Sequence, residues 1–178
     1  MKYLKTYKIF ESDDSWRRKT DDVQFKELSY ELDDILLDIS DEGFPYVQPS
    51  LISGNNLFVE ITGTEKGAIL YDDSDKFEID INIKNVLERI VSLVESKGYK
   101  YNMEIFYSVT YEDVSIDEYI EGYTVEFKND QWVMINTFSS KGKGIAEYKP
   151  TPLDKPDPID IVGKKPTAIT LKISKWDT

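Results

Sequence analysis

Cysteine and histidine are both missing from these 178 residues. Without cysteine the chain can form no disulfide, offers no thiolate nucleophile and cannot hold zinc or an iron–sulfur cluster through sulfur. Without histidine there is no imidazole to act as a general base near neutral pH, to complete a Ser-His-Asp or Cys-His arrangement, or to ligate a metal. No run of about eighteen apolar residues occurs, and no basic start leads into an apolar stretch. Neither a membrane span nor a secretory signal is therefore visible, and the expected compartment is the cytoplasm.

Positive charge is also scarce, with 22 Lys and Arg against 34 Asp and Glu and a net charge of −12. The imbalance is local: residues 1–19 sum to +3, residues 20–138 to −18 and residues 139–178 to +3. A body this acidic repels phosphate backbones, so the expected partner is a protein with a basic surface rather than nucleic acid. Hydrophobic residues make up 40% of the chain, enough for one packed domain that needs no metal or disulfide to fold.

Charge and proline content together suggest three segments: a basic N-terminal arm (1–19), an acidic α+β domain (20–148), and a Pro-rich connector with a terminal strand (149–178). Phe25, Leu28, Leu32, Ile35, Leu36 and Ile39 lie on one face of a helix expected over 21–42, with Thr20 or Asp22 as its cap and Gly43 at its end. Ile83, Val86, Leu87, Ile90 and Val94 predict a second helix over 82–97, capped by Asp80 or Asn82 and ended by Gly98. Between them, an edge strand interrupted by Pro45 and Pro49 turns at 53–56 into a strand that alternates Leu57, Val59 and Ile61. A short strand is expected at 68–71.

After the second helix, Tyr99, Tyr101, Met103, Ile105, Tyr107, Val109 and Tyr111 share one side of a long strand. Strands over 119–128 and 131–138 form a hairpin around Asn129-Asp130. The order helix, Gly, aromatic, strand occurs at Gly43-Phe44 and again at Gly98-Tyr99, an αββ-αββ-like echo. The expected fold is two helices packed on one face of a mainly antiparallel sheet. Five of the seven prolines lie between 150 and 166, which predicts an extended connector, and Ile169, Leu171 and Ile173 then alternate as a strand returning to the sheet.

Candidate sites are few. Glu27, Glu31, Asp34, Asp38 and Asp41 step down one flank of the first helix as a carboxylate stripe, readable as a binding face or as a solvated helix surface. Asp72, Asp73, Asp75 and Glu78, with Asp80, supply oxygen ligands for a divalent cation, but at no EF-hand spacing; a polar turn before a helix N-terminus, where carboxylates are favoured, is the simpler reading. The basic, glycine-rich Ser139 to Gly144 lacks P-loop spacing and predicts a flexible turn. Tyr101, Tyr107, Tyr111, Tyr119 and Tyr123 could line a binding face or cover the sheet. Catalysis would have to rest on carboxylates, lysine or a carboxylate-held metal, and 34 acidic residues select no particular pair. No cofactor is expected.

The opening MKYLKTYKIFES and the stretch ELDDILLDISDEGF resemble small uncharacterised proteins of tailed, T-even-like bacteriophages, over residues 1–12 and 28–44. In those phages, short basic and aromatic N-terminal peptides direct internal proteins into the prohead and are cut after a Glu. Ile9, Phe10 and Glu11 look like such a processing site, although Phe10 replaces the small residue usual in that family. The same residues also read as a plain amphipathic arm. The resemblance implies a non-catalytic accessory protein that binds another protein, in the host cytoplasm or carried in the virion. Two alternatives stand beside it: an acidic DNA mimic that inhibits a host defence protein, and a divalent-metal enzyme using the carboxylates near residue 75.

Overall fold

The five apolar residues Phe25, Leu28, Leu32, Leu36 and Ile39 repeat at helical spacing, and all are at most 4% exposed along helix α1 (Val23–Ser40). The structure, a computed structural model, describes residues 23–40, 45–53, 56–63, 76–108, 118–142 and 151–175. Helix α2 (Ile81–Ser96) buries Ile83, Val86, Leu87, Ile90, Val91 and Val94. Its first turn is capped by Asp80, whose Oδ1 accepts the N–H of Ile83 at 2.8 Å, relieving one of the unpaired donors at a helix start. Gly98 ends it at φ +76°, a left-handed conformation that costs glycine nothing, and donates its N–H to the Glu95 carbonyl.

Among the described residues, seven strands follow in chain order as β1 (Tyr46–Ser53), β2 (Asn56–Thr62), β3 (Tyr99–Ser108), β4 (Glu118–Lys128), β5 (Gln131–Gly142), β6 (Thr151–Pro158) and β7 (Ala168–Lys175). They form one sheet in the order β1-β2-β7-β3-β4-β5-β6, with every neighbouring pair antiparallel. The chain is thus α+β, with both helices against one face of the sheet and a common core between the layers. Asn129 and Asp130, both at positive φ, make the tight turn that joins β4 to β5.

The last strand occupies the interior of the sheet. Because β2 and β3 are each antiparallel to β7, they run in the same direction, and β2-α2-β3 is a crossover into which β7 inserts, a split βαβ unit. Register is regular across these three strands. Leu57 meets Ile173, which meets Tyr101; Val59 meets Leu171, which meets Met103; Ile61 meets Ile169, which meets Ile105. These alternating residues form the floor under the helices, and burying each large aliphatic side chain there contributes about 1.5–3 kcal/mol.

The segment 159–167 carries the chain from the sheet edge back to this interior position. Ile159 donates to the Trp132 carbonyl, Thr167 donates to that of Phe106, and Ile161 between them is fully buried. Residues 77–79 pair with 163–166 through three backbone hydrogen bonds: Phe77 to Pro166, Ile79 to Lys164 and Gly163 to Ile79. The approach to α2 and the return to β7 are therefore fastened to each other.

On the opposite face, Gly122 lies between Phe106 and Phe138, whose ring centroids are 5.2 Å apart. A Cβ at Gly122 would stand 2.5 Å from Phe138 Cζ, so glycine is what lets the two rings meet across β4.

Several expectations need correction. The Pro-rich stretch is a strand rather than a connector, since 151–158 pair with β5 as Thr137↔Thr151, Asn136↔Pro152, Met134↔Asp157 and Val133↔Pro158. An edge strand needs ladder bonds on one side only, which is why prolines are tolerated there. Residues 139–142, expected in a flexible turn, continue β5 opposite Glu118–Glu121. The αββ order does recur along the chain, but the units sit differently: β1, after α1, is an edge, whereas β3, after α2, adjoins β7. Both strands of segment 149–178 belong to the same sheet as the acidic domain. The N-terminal arm, Gly43, and the strand and acidic turn expected over 68–75 lie outside the described residues.

Candidate binding surface

Helix α1 carries one lysine, Lys26, against Glu27, Glu31, Asp33, Asp34 and Asp38. Since its apolar face is turned to the sheet, these carboxylates lie on its outer and lateral faces. Glu27, Asp34 and Asp38 are exposed and Glu31 is half-buried; Asp41 lies outside the described residues.

The stripe is partly neutralised by the neighbouring helix. Lys97 Nζ bonds Glu31 Oε1 at 2.5 Å, and Arg89 bonds Asp38. The Glu31 hydrogen bond is the main cause holding the Lys97 ammonium above its ordinary pKa, with the nearby Glu27 adding to it. The two pairs run in opposite chain directions, so α1 and α2 lie antiparallel with their ion pairs spaced along the seam. Neither cation could be assigned to the stripe from local sequence, because the partners are 66 and 51 residues apart.

What the stripe leaves outward is Glu27, Asp34 and, by helical spacing, Tyr30 between them. Tyr30 is 48% exposed, among the most exposed large apolar side chains of the described residues. A tyrosine ring flanked along the helix by Glu27 and Asp34 offers apolar contact area, a hydroxyl and negative charge on one helical face, and tyrosine is enriched at protein interfaces.

Asp33, one residue earlier, does different work. Its Oδ1 accepts both the N–H and the hydroxyl of Ser50 at 2.9 Å, and Ser29 Oγ lies 2.5 Å from Ser50 Oγ. Ser50 is 1% exposed and sits where the β1–β2 register shifts between Gln48 and Leu51. The carboxylate gives the Ser50 N–H an acceptor at this irregularity and, with Ser29, fastens α1 to the edge strand. This role is not legible in the sequence, since Asp33 and Asp34 are adjacent and alike and only the tertiary packing separates them.

The remaining candidates are distributed as follows. Asp72, Asp73 and Asp75 lie outside the described residues, as do Ile9, Phe10 and Glu11. Glu78 is exposed, with Lys165 at 3.8 Å. Among the described residues no group of three or more Asp or Glu side chains converges as a metal site, and no helix is long and apolar enough to cross a membrane. Tyr101, Tyr107 and Tyr123 are half-buried and pack against the core on the helix side of the sheet. The Tyr101 oxygen accepts the Phe127 N–H at 2.8 Å, and burial pushes its phenol up to about 12. Tyr107 and Tyr123 bring their hydroxyls to 2.7 Å, and burial raises both phenols above their ordinary range. The Trp132 indole N–H reaches Glu88 on α2 at 3.2 Å, joining β5 to the helix layer.

No protein-family model, no curated protein and no solved structure matches the chain. The functional reading therefore rests on the residues themselves.

Proposed function

We propose that this chain is a non-catalytic accessory protein of the phage type that binds another protein through the outer face of α1. The observation that carries the reading is the exposure of Tyr30 within the row Glu27–Asp34 on a helix whose inner face is fully engaged with the core. Such a face suits a partner with a basic surface and an apolar recess for the tyrosine ring. Lys97 and Arg89 interrupt the carboxylates at Glu31 and Asp38. That weakens the case for an uninterrupted DNA-like row and favours a protein contact centred on Tyr30. The resemblance of residues 1–12 and 28–44 to small phage proteins supports a place in the host cytoplasm or the virion.

The test is capture from bacterial lysate by the full chain and by a Tyr30→Ala, Asp34→Lys double variant. Both side chains are exposed, so the variant keeps its fold. A partner retained by the parent chain should fall at least about tenfold with the variant, the effect of losing about 1.4 kcal/mol or more at a central contact. Equal capture by both would contradict the proposal.

A further inference from the structure

Tyr107 on β3 and Tyr123 on β4 bring two phenol oxygens together. Their hydroxyls are 2.7 Å apart, their ring centroids 5.6 Å apart and their planes inclined by 38°. A hydroxyl contact this short at that centroid spacing requires the two C–O bonds to converge, which brings the ring carbons beside each oxygen toward one another. The other core tyrosines are differently engaged: Tyr99 stacks on Phe25 and Tyr101 takes a backbone N–H. The pair is held by the β3–β4 register, in which Tyr123 faces Ile105 and Tyr107 faces Glu121, so the rings are diagonal neighbours on one face.

The geometry points to Tyr107 and Tyr123 as a built-in site of oxidative tyrosine coupling, able to form a carbon–carbon staple between β3 and β4 when a one-electron oxidant of the peroxidase–peroxide class is present. Each phenol gives up one electron and its hydroxyl proton, leaving two phenoxyl radicals. One ring carbon beside each oxygen then bonds to its counterpart, and the hydrogens on those carbons move to the oxygens to restore two phenols. The net loss is two electrons and two protons, which reduce one peroxide to two waters. Exposed Glu121 beside Tyr107 is a carboxylate placed to take a departing proton. Because the two hydroxyls already meet, coupling starts from phenols held side by side, and it closes a ring between residues sixteen positions apart.

The experiment treats the full chain at low concentration with hydrogen peroxide and a peroxidase, then maps the monomeric product by mass spectrometry. The expected result is a species lighter by two hydrogens, with dityrosine fluorescence and one linked peptide joining Tyr107 to Tyr123. That peptide should be lost in both Tyr107→Phe and Tyr123→Phe, which keep the ring and remove only the hydroxyl. Recovery of the two peptides unlinked, at an oxidant dose that couples other tyrosines, would overturn the inference, as would an unchanged linked product in either variant.

Discussion

The middle of the sheet and its two edges are built differently. In β2, β7 and β3 the strands pair in continuous register, and the aliphatic residues Leu57, Val59, Ile61, Met103, Ile105, Ile169, Leu171 and Ile173 alternate on the helix side and are almost wholly buried. At the edges, β1 shifts register beside Pro49, and β6 pairs through two short runs of two residues, with Leu153 to Pro156 looping out between them. Of the eight β6 residues only Leu153 is less than exposed. A central strand is constrained on both sides and on its helix-facing surface, so a single irregular residue costs several contacts. An edge strand is constrained on one side, and irregular, proline-bearing edges deter pairing with other chains. The latest strand in the chain thus carries the centre of the fold, while the Pro-rich stretch just before it serves to finish an edge.

One alanine substitution in the centre and one against the edge sharpen this contrast. Leu171→Ala in β7 removes a side chain with no exposed surface between Val59 and Met103, and should cost about 2–5 kcal/mol in denaturant unfolding. Asp33→Ala, at the junction of α1 with the β1 edge, takes away the side-chain acceptor of the buried Ser50 N–H, while the Ser50 hydroxyl keeps its contacts with Ser29. It should cost about 1–3 kcal/mol. A loss as large as that of Leu171→Ala would erase the distinction between centre and edge.

Alkali probes the β3–β4 side of the comparison. Tyr101 is held neutral in the folded chain up to about 12, against an ordinary value of 10.0, and Tyr107 and Tyr123 shift in the same direction. The unfolded chain therefore releases these protons first. The stability that the neutral phenols contribute is complete below about pH 10 and declines as pH rises through the folded values. Unfolding midpoints measured from pH 9 to 12 should fall across that window, and tyrosinate absorbance should show a fraction of phenols ionising only on unfolding. A flat midpoint would mean these rings are open to solvent. The smallest effect belongs to Leu153→Ala in β6, expected to stay within about 0.5–1 kcal/mol.

Periodicity made both helices and most strands legible. The spacing of Phe25 through Ile39 and of Ile83 through Val94 reports a buried stripe directly, and alternation at Ile169, Leu171 and Ile173 marked a strand that rejoins the sheet. Its insertion between β2 and β3 was hidden, because alternation records which face is buried and says nothing about which strands are neighbours. β6 was hidden for the opposite reason: its prolines mask a ladder bonded on one side only. The candidate surface was half legible. The carboxylate stripe follows from helical spacing, whereas its partners Lys97 and Arg89, and the inward turn of Asp33 toward Ser50, depend on contacts between segments far apart in the chain.

Native-state hydrogen exchange resolved by strand tests the central claim most directly, since amides in the best-paired strands open only with global unfolding. The β7 amides from Ile169 to Ile173, together with those of β3, should be among the slowest in the molecule and should exchange with the free energy of global unfolding, while β6 amides exchange by local opening at least about tenfold faster. Exchange of β7 as rapid as that of β6 would contradict the placement of the last strand at the centre of the sheet.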